Sequence, residues 1–473
     1  MAAERLGKAG DSFHDECGVC AVLAHPDAAN LVYLGLYALQ HRGQESAGIA
    51  AYDGTVLRQH KAMGYVADVF GRERLEELRG IAAVGHVRYS TAGQSALVNA
   101  QPIVGKTHRG PVALAHNGNL VNAQRLRQQL ESEGAIFQST SDSEVFLHLL
   151  ARSRAATLEA ALLESVASAV GAFSLVVLCG GRLFAARDPH GFRPLVIGRL
   201  DGAWVVASET CAFDLIEAHT VREVGPGEVV ELAGSDIRVL RPPAPGPYAH
   251  CVFEHVYFAR PDSRVFGEDV QTVRAALGRQ LALEHPVAAD VVVAVPDSGV
   301  PAAVGFAHAS GIEFALGLVR NHYVGRTFIE PRQTIRHFGV KVKLNAVRAV
   351  VEGRRIVLVD DSIVRGTTSR KIVAMLRGAG AREMHLRISS PPTRGPCFYG
   401  IDTPERRELI AANKSVEEIR AFVGADSLGY LSEAGMLACL RTEPENFCTA
   451  CFSLRYRVLD EDSHADVVAK EER

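Results

Sequence analysis

Residues 357–369 read VLVDDSIVRGTTS. The apolar run Val357–Val359 predicts a buried strand that ends directly in two acids, Asp360 and Asp361. Small polar residues follow, and they predict a short loop and then a helix that begins at Thr367. A helix N-terminus offers free N–H groups and the positive end of its dipole to a phosphate, and the two carboxylates suit ribose hydroxyls and Mg²⁺. An ordinary capped turn gives no reason for consecutive acids at the end of a buried strand.

Strands and helices alternate on both sides of this stretch. The predicted elements are Asp290–Val295, Pro301–Ser310, Arg355–Val359, Thr367–Arg377 and Glu383–Ile388, with strands at the first, third and fifth positions. This alternation is typical of an α/β domain with a parallel sheet. Such sheets bind ligands at the carboxyl ends of their strands, which is where the two acids stand.

The part of the chain before residue 240 has a different pattern, with short strand-like runs separated by turn residues and a few helices. Buried strands are predicted at Gly18–Leu23 and Phe173–Leu178. Helices are predicted at Leu31–Gln40, Ser143–Arg152 and Leu158–Val170. The pattern indicates an α+β domain in which helices cover antiparallel sheets.

The length of the chain, 473 residues, exceeds one ordinary core, so two domains are expected. The segment 241–247, RPPAPGP, predicts the linker between them, and a long surface loop is the alternative. The predicted division has a leader at 1–16, a first domain at 17–240, a second domain at 248–455 and a tail at 456–473.

Composition excludes several classes of protein. Apolar residues make up 47%, charged residues 22%, and the net charge is -3, so no strong field favours a nucleic acid or an anionic membrane as partner. No apolar segment suits a secretory signal or a membrane span, and we expect a cytoplasmic protein. The nine cysteines therefore indicate catalytic, metal-binding or buried thiols rather than a disulfide framework.

Cys17-Gly-Val-Cys20 is a CxxC pair, which by itself fits a metal knuckle or two buried thiols. Four polar segments punctuated by glycine or serine follow it, and such segments are costly in a core unless they build a site. They are Gln40–Ser46, Gly85–Thr91, His116–Asn119 and Thr140–Ser143. The third contains Asn-Gly, which alone would also fit a hairpin turn.

Together these segments resemble the glutaminase domain of the N-terminal-nucleophile amidotransferases. The resemblance implies that residues 1–16 are removed, that Cys17 attacks the side-chain amide of glutamine, and that its free α-amine is the base. It also implies that Asn117 and Gly118 form the oxyanion hole. The residues implied around the glutamine are Arg88 for its α-carboxylate, Thr91 beside it, Asp142 for its α-ammonium, and Arg42, which orders the site.

Residues 357–369 resemble the phosphoribosyl pyrophosphate (PRPP) motif of the type I phosphoribosyltransferases. This implies that Ser298, in a pyrophosphate loop, joins Asp360 and Asp361 around Mg²⁺. The residues implied for phosphate binding are Arg365, Gly366, Thr367, Thr368 and Ser369. The basic and aromatic segment from Arg320 to Asn345 resembles the loop that closes over PRPP, although by itself it would also fit a solvated loop or a nucleic-acid patch.

Both halves, in this order, resemble the glutamine phosphoribosylpyrophosphate amidotransferases over about residues 17–455. The resemblance implies that ammonia from glutamine passes through a channel near Tyr257 to PRPP, which gives 5-phosphoribosylamine, glutamate and pyrophosphate as the first step of purine synthesis. It further implies a homotetramer inhibited by purine nucleotides. Other glutaminase-coupled enzymes need no PRPP motif. A PRPP-sensing regulatory protein with a residual glutaminase domain would be expected to lack Cys17 or the oxyanion pair.

The remaining cysteines include a second CxxC pair, Cys448-Thr-Ala-Cys451, and two single residues, Cys251 and Cys397. One pair plus two singles is a weak metal signal by spacing. Within the resemblance, all four positions match the subgroup that carries a [4Fe-4S] cluster, and four thiolates suit either that cluster or zinc. We expect a structural cluster here. The cysteines expected to be small buried apolar side chains are Cys20, Cys179, Cys211 and Cys439.

Overall fold

A computed structural model describes residues 17–89, 95–321 and 344–459. The predicted leader, Thr91, most of the segment predicted to close over PRPP, and the end of the predicted tail lie outside these residues. Residues 17–241, called the first half below, contain a seven-stranded and a six-stranded sheet. Every strand pair in both sheets is antiparallel, which confirms the predicted sheet type.

The strands of the first half are β1 (Gly18–Leu23), β2 (Ser46–Tyr52), β3 (Leu57–Met63), β4 (Ala82–Arg88), β5 (Ile103–Thr107), β6 (Gly110–Leu120), β7 (Gly171–Cys179), β8 (Arg182–Arg187), β9 (Val196–Leu200), β10 (Ala203–Ala207), β11 (His219–Glu223), β12 (Val229–Ala233) and β13 (Asp236–Arg241). Their order is β11-β9-β10-β1-β4-β2-β3 in one sheet and β13-β12-β8-β7-β6-β5 in the other. Strand β1, which follows Cys17, therefore lies in the middle of its sheet.

Helices cover both sheets on their outer faces. They are α1 (Ala28–Ala38), α2 (Val66–Val69), α3 (Arg72–Glu77), α4 (Ala123–Ser132), α5 (Glu144–Arg152), α6 (Leu158–Ser168) and α7 (Cys211–Ile216), with a 3₁₀ turn at Leu97–Asn99. Strand β1 shows the layering, because Cys20 and Val22 pack under the helices while Val19 and Ala21 pack against the second sheet. The first half is thus an αββα sandwich.

The second half, residues 248–459, is built on a parallel sheet with the order β17-β20-β21-β22, as predicted. Its strands are β14 (His250–Cys251), β15 (Arg264–Val265), β16 (Glu268–Asp269), β17 (Val291–Ala294), β18 (Leu318–Arg320), β19 (Leu344–Ala346), β20 (Arg355–Asp360), β21 (Glu383–Ile388), β22 (Ser427–Tyr430) and β23 (Phe447–Cys448). Its helices are α8 (Val270–Glu284), α9 (Val300–Ser310), α10 (Arg348–Val351), α11 (Thr367–Gly378), α12 (Ile410–Asn413), α13 (Val416–Val423), α14 (Glu433–Ala438) and α15 (Ala450–Ser453), with a π-helix at Glu254–Phe258 and 3₁₀ turns at Arg406–Glu408 and Pro444–Asn446.

Several sequence expectations can be compared with these elements. The strands expected at Gly18–Leu23 and Glu383–Ile388 have those bounds, and the other predicted elements differ by one to three residues at one or both ends. Residues 242–249 form no helix or strand, and the division of the chain at 241–247 stays a prediction. Cys439 is only partly buried, whereas the other three cysteines expected in the core are buried. None of the helices in the described ranges is both long enough and apolar enough to cross a bilayer.

Candidate active sites

Cys17 immediately precedes β1 and is almost fully buried, with 5% of its surface exposed. Its thiol donates a hydrogen bond of 3.6 Å to the backbone oxygen of Tyr89, just beyond the end of the neighbouring strand β4. Arg42, in the segment after α1, donates its Nε to the carbonyl oxygen of Cys17 over 3.1 Å. Because β4 ends at Arg88, the structure brings the predicted nucleophile next to two of the arginines predicted for its site.

Arg42 is fully buried and is held by two buried carboxylates, Glu209 and Glu254. Its Nη2 donates to Glu254 Oε1 over 2.7 Å, and Arg193 donates to the same oxygen over 3.3 Å. Burial alone would raise the pKa of Glu209, but His41 and Arg42 hold that pKa well below its usual range. Since Glu254 belongs to the second half, this cluster of paired buried charges connects Arg42 of the first half to the second half.

Arg88 ends β4 with 2% of its surface exposed. Its Nη1 lies 3.8 Å from Oε2 of Glu45. A buried guanidinium is suited to a carboxylate ligand, because its fork of N–H donors matches the two carboxylate oxygens. Thr91, predicted beside the same carboxylate, lies outside the described residues.

Asn117 and Gly118 lie inside β6, where they pair with β7, so this Asn-Gly sequence forms no hairpin turn. Both polar atoms of the Asn117 amide are buried and have no hydrogen-bond partner among the described residues. A buried amide is costly without a partner, so a ligand at this point would satisfy it. Gly118 has φ +145, and a Cβ there would lie 2.1 Å from the carbonyl oxygen of Ala172, which only glycine avoids.

Asp142 lies just before α5 and is tied to the end of β6, because its Oδ2 accepts the backbone N–H of Leu120 over 3.0 Å. His116 is 3.8 Å from the same oxygen and shares a hydrogen bond of 2.9 Å with Ser143 Oγ. The carbonyl oxygen of His116 is 3.1 Å from Nε2 of His86 on β4. These hydrogen bonds join three elements in one buried polar cluster. The elements are the loop of Asp142, strand β4, which ends at Arg88, and strand β6, which contains Asn117.

The predicted magnesium residues meet at the carboxyl end of the parallel sheet. Asp360 ends β20 and Asp361 follows it, and their exposed fractions are 8% and 5%. Ser298, in the loop after β17, donates its hydroxyl to Asp361, and Ser362 donates to the other carboxylate oxygen over 2.5 Å. Burial raises the pKa of Asp361, and the hydrogen bonds from Ser298 and Ser362 oppose that rise. Oxygen donors of this kind are the ligands that Mg²⁺ prefers.

The five predicted phosphate residues lie on the loop after these acids and on the first turn of α11. Gly366, with φ +77, stands at the N-cap of α11, and Thr367 begins that helix. The side chain of Arg365 reaches Glu408 over 3.3 Å. The helix N-terminus thus opens toward the carboxyl end of β20, the arrangement that the sequence predicts for a phosphate.

The four cysteines predicted for a cluster also come together. Strand β14 pairs with β23, and this pairing sets Cys251 opposite Cys448. Burial raises the pKa of Cys451, and the nearby thiols of Cys251, Cys448 and Cys397 raise it further. Across residues 17–89, 95–321 and 344–459, however, no group of three or more His, Cys, Asp or Glu side chains has the geometry of a metal site. The chemistry of the four cysteine thiols fits a group with four thiolate ligands, but their arrangement in this structure is not that of a metal site.

Several residues around the sites carry no local sequence signal, among them Glu209 and Arg193. Glu254 does have a local sequence signal, because it is the single acid within the mainly apolar segment 251–259. Arg274, on α8, is buried and donates to backbone oxygens at both ends of the π-helix, to His255 over 2.7 Å and to Ala259 over 2.8 Å. Burial lowers the pKa of Arg274 to about 10, although the charge of Asp361 acts to raise it.

Known proteins resemble the chain over nearly its whole length. A family model for a glutamine amidotransferase domain matches residues 86–214. The chloroplastic amidophosphoribosyltransferase of Vigna aconitifolia is 52% identical over 449 residues, which cover 95% of this chain and 92% of the relative. The amidophosphoribosyltransferase of Bacillus subtilis is 49% identical, with 94% of each chain covered. The chain belongs to the amidophosphoribosyltransferase family.

Two solved structures agree with this family. One, described as the allosteric regulatory enzyme of purine biosynthesis, has a TM-score of 0.90 and 48% identity, and covers 94% of this chain and 97% of that chain. The B. subtilis glutamine PRPP amidotransferase, complexed with ADP and GMP, has a TM-score of 0.89 and 48% identity, with 94% and 99% covered. As an amidophosphoribosyltransferase, the chain transfers the amide nitrogen of glutamine to PRPP in the first step of purine biosynthesis, and the family binds PRPP with Mg²⁺.

Proposed function

We propose that Cys17 is the nucleophile of this reaction and that it acts as the first residue of a chain from which residues 1–16 have been removed. The thiolate attacks the side-chain amide carbon of glutamine, the C–N bond breaks to release ammonia, and water hydrolyses the glutamyl thioester to glutamate. An α-amine has an ordinary pKa of about 8 and accepts the thiol proton, which an amide nitrogen does not. The observation that carries this proposal is the buried Cys17, whose thiol donates to the backbone oxygen of Tyr89 next to Arg88 and whose own carbonyl oxygen accepts from Arg42.

The glutamine substrate is held, in this proposal, by its backbone groups and its reacting oxygen. Arg88 binds the α-carboxylate with Thr91 beside it, and Asp142 binds the α-ammonium. Asn117 and the N–H of Gly118 donate to the oxygen that becomes negative when the thiolate adds. The buried amide of Asn117, which has no hydrogen-bond partner in the part of the chain that the structure describes, supports this role.

PRPP is held at the other site by two groups of residues. Ser298, Asp360 and Asp361 hold the Mg²⁺ that the family uses, and residues 365–369 with the α11 N-terminus bind a phosphate. Ammonia forms a bond to the ribose carbon while the bond from that carbon to the pyrophosphate oxygen breaks. We place the ammonia channel near Tyr257, because its π-helix begins at the Glu254 that binds Arg42. The segment from Arg320 to Asn345 is proposed to close over PRPP.

We also propose that Cys251, Cys397, Cys448 and Cys451 hold a [4Fe-4S] cluster with a structural role. The proximity of their thiols supports it, together with the burial of Cys251 and Cys451. Iron and sulfide analysis after anaerobic purification tests the assignment, and a colourless protein that contains zinc would contradict it.

The remaining proposals rest on the family. Inhibition by purine nucleotides is supported by the relative complexed with ADP and GMP. A homotetramer, a cytoplasmic location and two domains joined at 241–247 complete the proposed description.

Steady-state kinetics of Asp360→Asn test the PRPP site. We expect KM for PRPP to rise by about tenfold or more, since one magnesium ligand loses its charge, while PRPP-independent glutaminase activity persists. Asp290→Asn is the matched control, because Asp290 pairs with Arg355 at the opposite end of the same sheet. An unchanged KM for PRPP in Asp360→Asn would count against the magnesium assignment.

A further inference from the structure

Gly400, in the second half, lies directly against Gly118 of the first half. A Cβ at Gly400 would stand 3.0 Å from both the Cα and the carbonyl carbon of Gly118. Gly400 has φ +108, a backbone conformation that favours glycine. No step of the reaction described above uses this contact between two glycine backbones.

Two hydrogen bonds fix the segment Phe398–Gly400 in this position. Asn119 donates its Nδ2 to the carbonyl oxygen of Phe398 over 2.9 Å. Arg193 donates its Nε to the carbonyl oxygen of Tyr399, also over 2.9 Å. Three consecutive residues of the second half therefore contact the first half, and two of these contacts fall on β6, the strand that carries Asn117.

Gly118 is confined on both sides. On one side is β7, where a Cβ at Gly118 would meet the carbonyl oxygen of Ala172 at 2.1 Å, and on the other is Gly400. A backbone held between two close neighbours has little freedom to shift. Oxyanion donors work because they are already in place when charge develops, so their position matters more than their presence alone.

We propose that Asn119 and Gly400 are positioning residues for the oxyanion hole, and that the segment Phe398–Gly400 fixes the backbone of Gly118 for the glutaminase step. This inference rests on the proposed oxyanion role of Asn117 and Gly118. It makes the chemistry at Cys17 depend on a segment of the phosphoribosyltransferase half. Synthesis from free ammonia needs no oxyanion hole and is independent of the contact.

The test compares variants of the complete mature enzyme with glutamine and with free ammonia as nitrogen donors. G400A places a methyl group against Gly118, and N119A removes a hydrogen-bond donor without adding atoms. G311A is the matched control, because Gly311 also has a positive φ, +72, but a Cβ there would meet no atom of the described residues within 4 Å. N117A tests the oxyanion role separately.

For G400A we expect kcat with glutamine to fall by about tenfold or more, less than the roughly 10²–10³-fold cost of deleting a donor. KM for glutamine and the ammonia-dependent rate should stay within about twofold, because substrate binding and the PRPP site are untouched. N119A should lose about threefold to tenfold in the same kcat, and G311A should match the wild type.

Each other outcome overturns the inference in a distinguishable way. Full glutamine turnover in N117A would remove the oxyanion assignment itself. A loss in N117A with wild-type kcat in both G400A and N119A would leave that assignment standing and reject the positioning role. Equal losses with glutamine and with ammonia would mean that the contact serves only general stability. If G400A does not fold, N119A decides by the same criteria.

Discussion

The chain carries two CxxC pairs, and the local backbone gives them different structures. Cys17 immediately precedes β1 and Cys20 lies within it, and along extended backbone side chains alternate, so residues three positions apart face opposite sides. Cys448 ends β23 and Cys451 lies in the helix α15, and this turn brings both thiols near one another. The two thiols of a CxxC pair are therefore far apart when the pair lies on a strand and close together when it lies at a strand-to-helix turn.

The surroundings of the thiols differ in the same way. Burial under α1 and α7 raises the pKa of Cys20 to about 12, which makes it a neutral packing residue. Cys17 instead has polar partners, because Arg42 donates to its backbone oxygen and its thiol donates to the backbone oxygen of Tyr89. Cys451 is buried close to the thiols of Cys251, Cys448 and Cys397, where a bound metal would supply the compensating charge.

The largest expected effect separates the two members of the first pair. Cys17→Ser should reduce glutamine-dependent synthesis by about 10³-fold or more, because a serine hydroxyl is a far weaker nucleophile here. Ammonia-dependent synthesis should remain within about twofold, since the PRPP site is separate. Cys20→Ala is the matched control and should keep glutamine-dependent turnover. The measurement is the rate of glutamate release. An equal loss of this rate in Cys17→Ser and Cys20→Ala would contradict a special role for Cys17.

If Cys448 and Cys451 bind a cluster together with Cys251 and Cys397, the loss of any one of these thiols should reduce the iron content. Cys451→Ser is expected to abolish most of the iron, about four atoms per chain for a cubane cluster, because one of four ligands is lost. Cys439→Ser changes a partly buried thiol outside this set and should retain the iron. The measurement is the iron and sulfide content per chain of the two variants, determined under anaerobic conditions. Unaltered iron in Cys451→Ser would show that the pair is not a ligand pair.

A smaller effect is expected from the packing role of Cys20. Cys20→Ala leaves a cavity under α1 and should cost about 1–2 kcal/mol, which corresponds to a melting temperature lower by roughly 2–8 °C. Differential scanning calorimetry of the holoenzyme measures the shift. A variant as stable as the wild type would mean that Cys20 contributes nothing to the core.

The smallest expected effect is the pH dependence of the difference in melting temperature between the wild type and Cys20→Ala. The thiol of Cys20 ionises near its ordinary value of 9 when the chain unfolds and at about 12 when it is folded. Its contribution to stability is therefore complete below the first value and is lost as pH rises toward the second. The gap in melting temperature between wild type and Cys20→Ala should narrow between pH 8 and about pH 10.5. A constant gap over that range would contradict the burial of a neutral thiol.

The two reaction sites differ in how far sequence alone could predict them. Asp360 through Ser369 lie on one strand, one loop and one helix, so their pattern is contiguous and predicts their geometry. The residues predicted for the glutamine site lie on separated segments, and only the resemblance of four segments in order predicts that they form one site. Its ionic partners Glu209 and Glu254 are 167 and 212 positions from Arg42. Contacts over such distances leave no local pattern, and the same holds for Gly400 against Gly118.

The most direct test of the central proposal, that Cys17 acts as the N-terminal nucleophile, is intact mass spectrometry before and after reaction with a diazoketone analogue of glutamine. The active enzyme should have the mass of a chain that begins at Cys17 and should gain one adduct, located on its N-terminal peptide. A fully active protein that retains residues 1–16, or an adduct on another cysteine, would contradict the account.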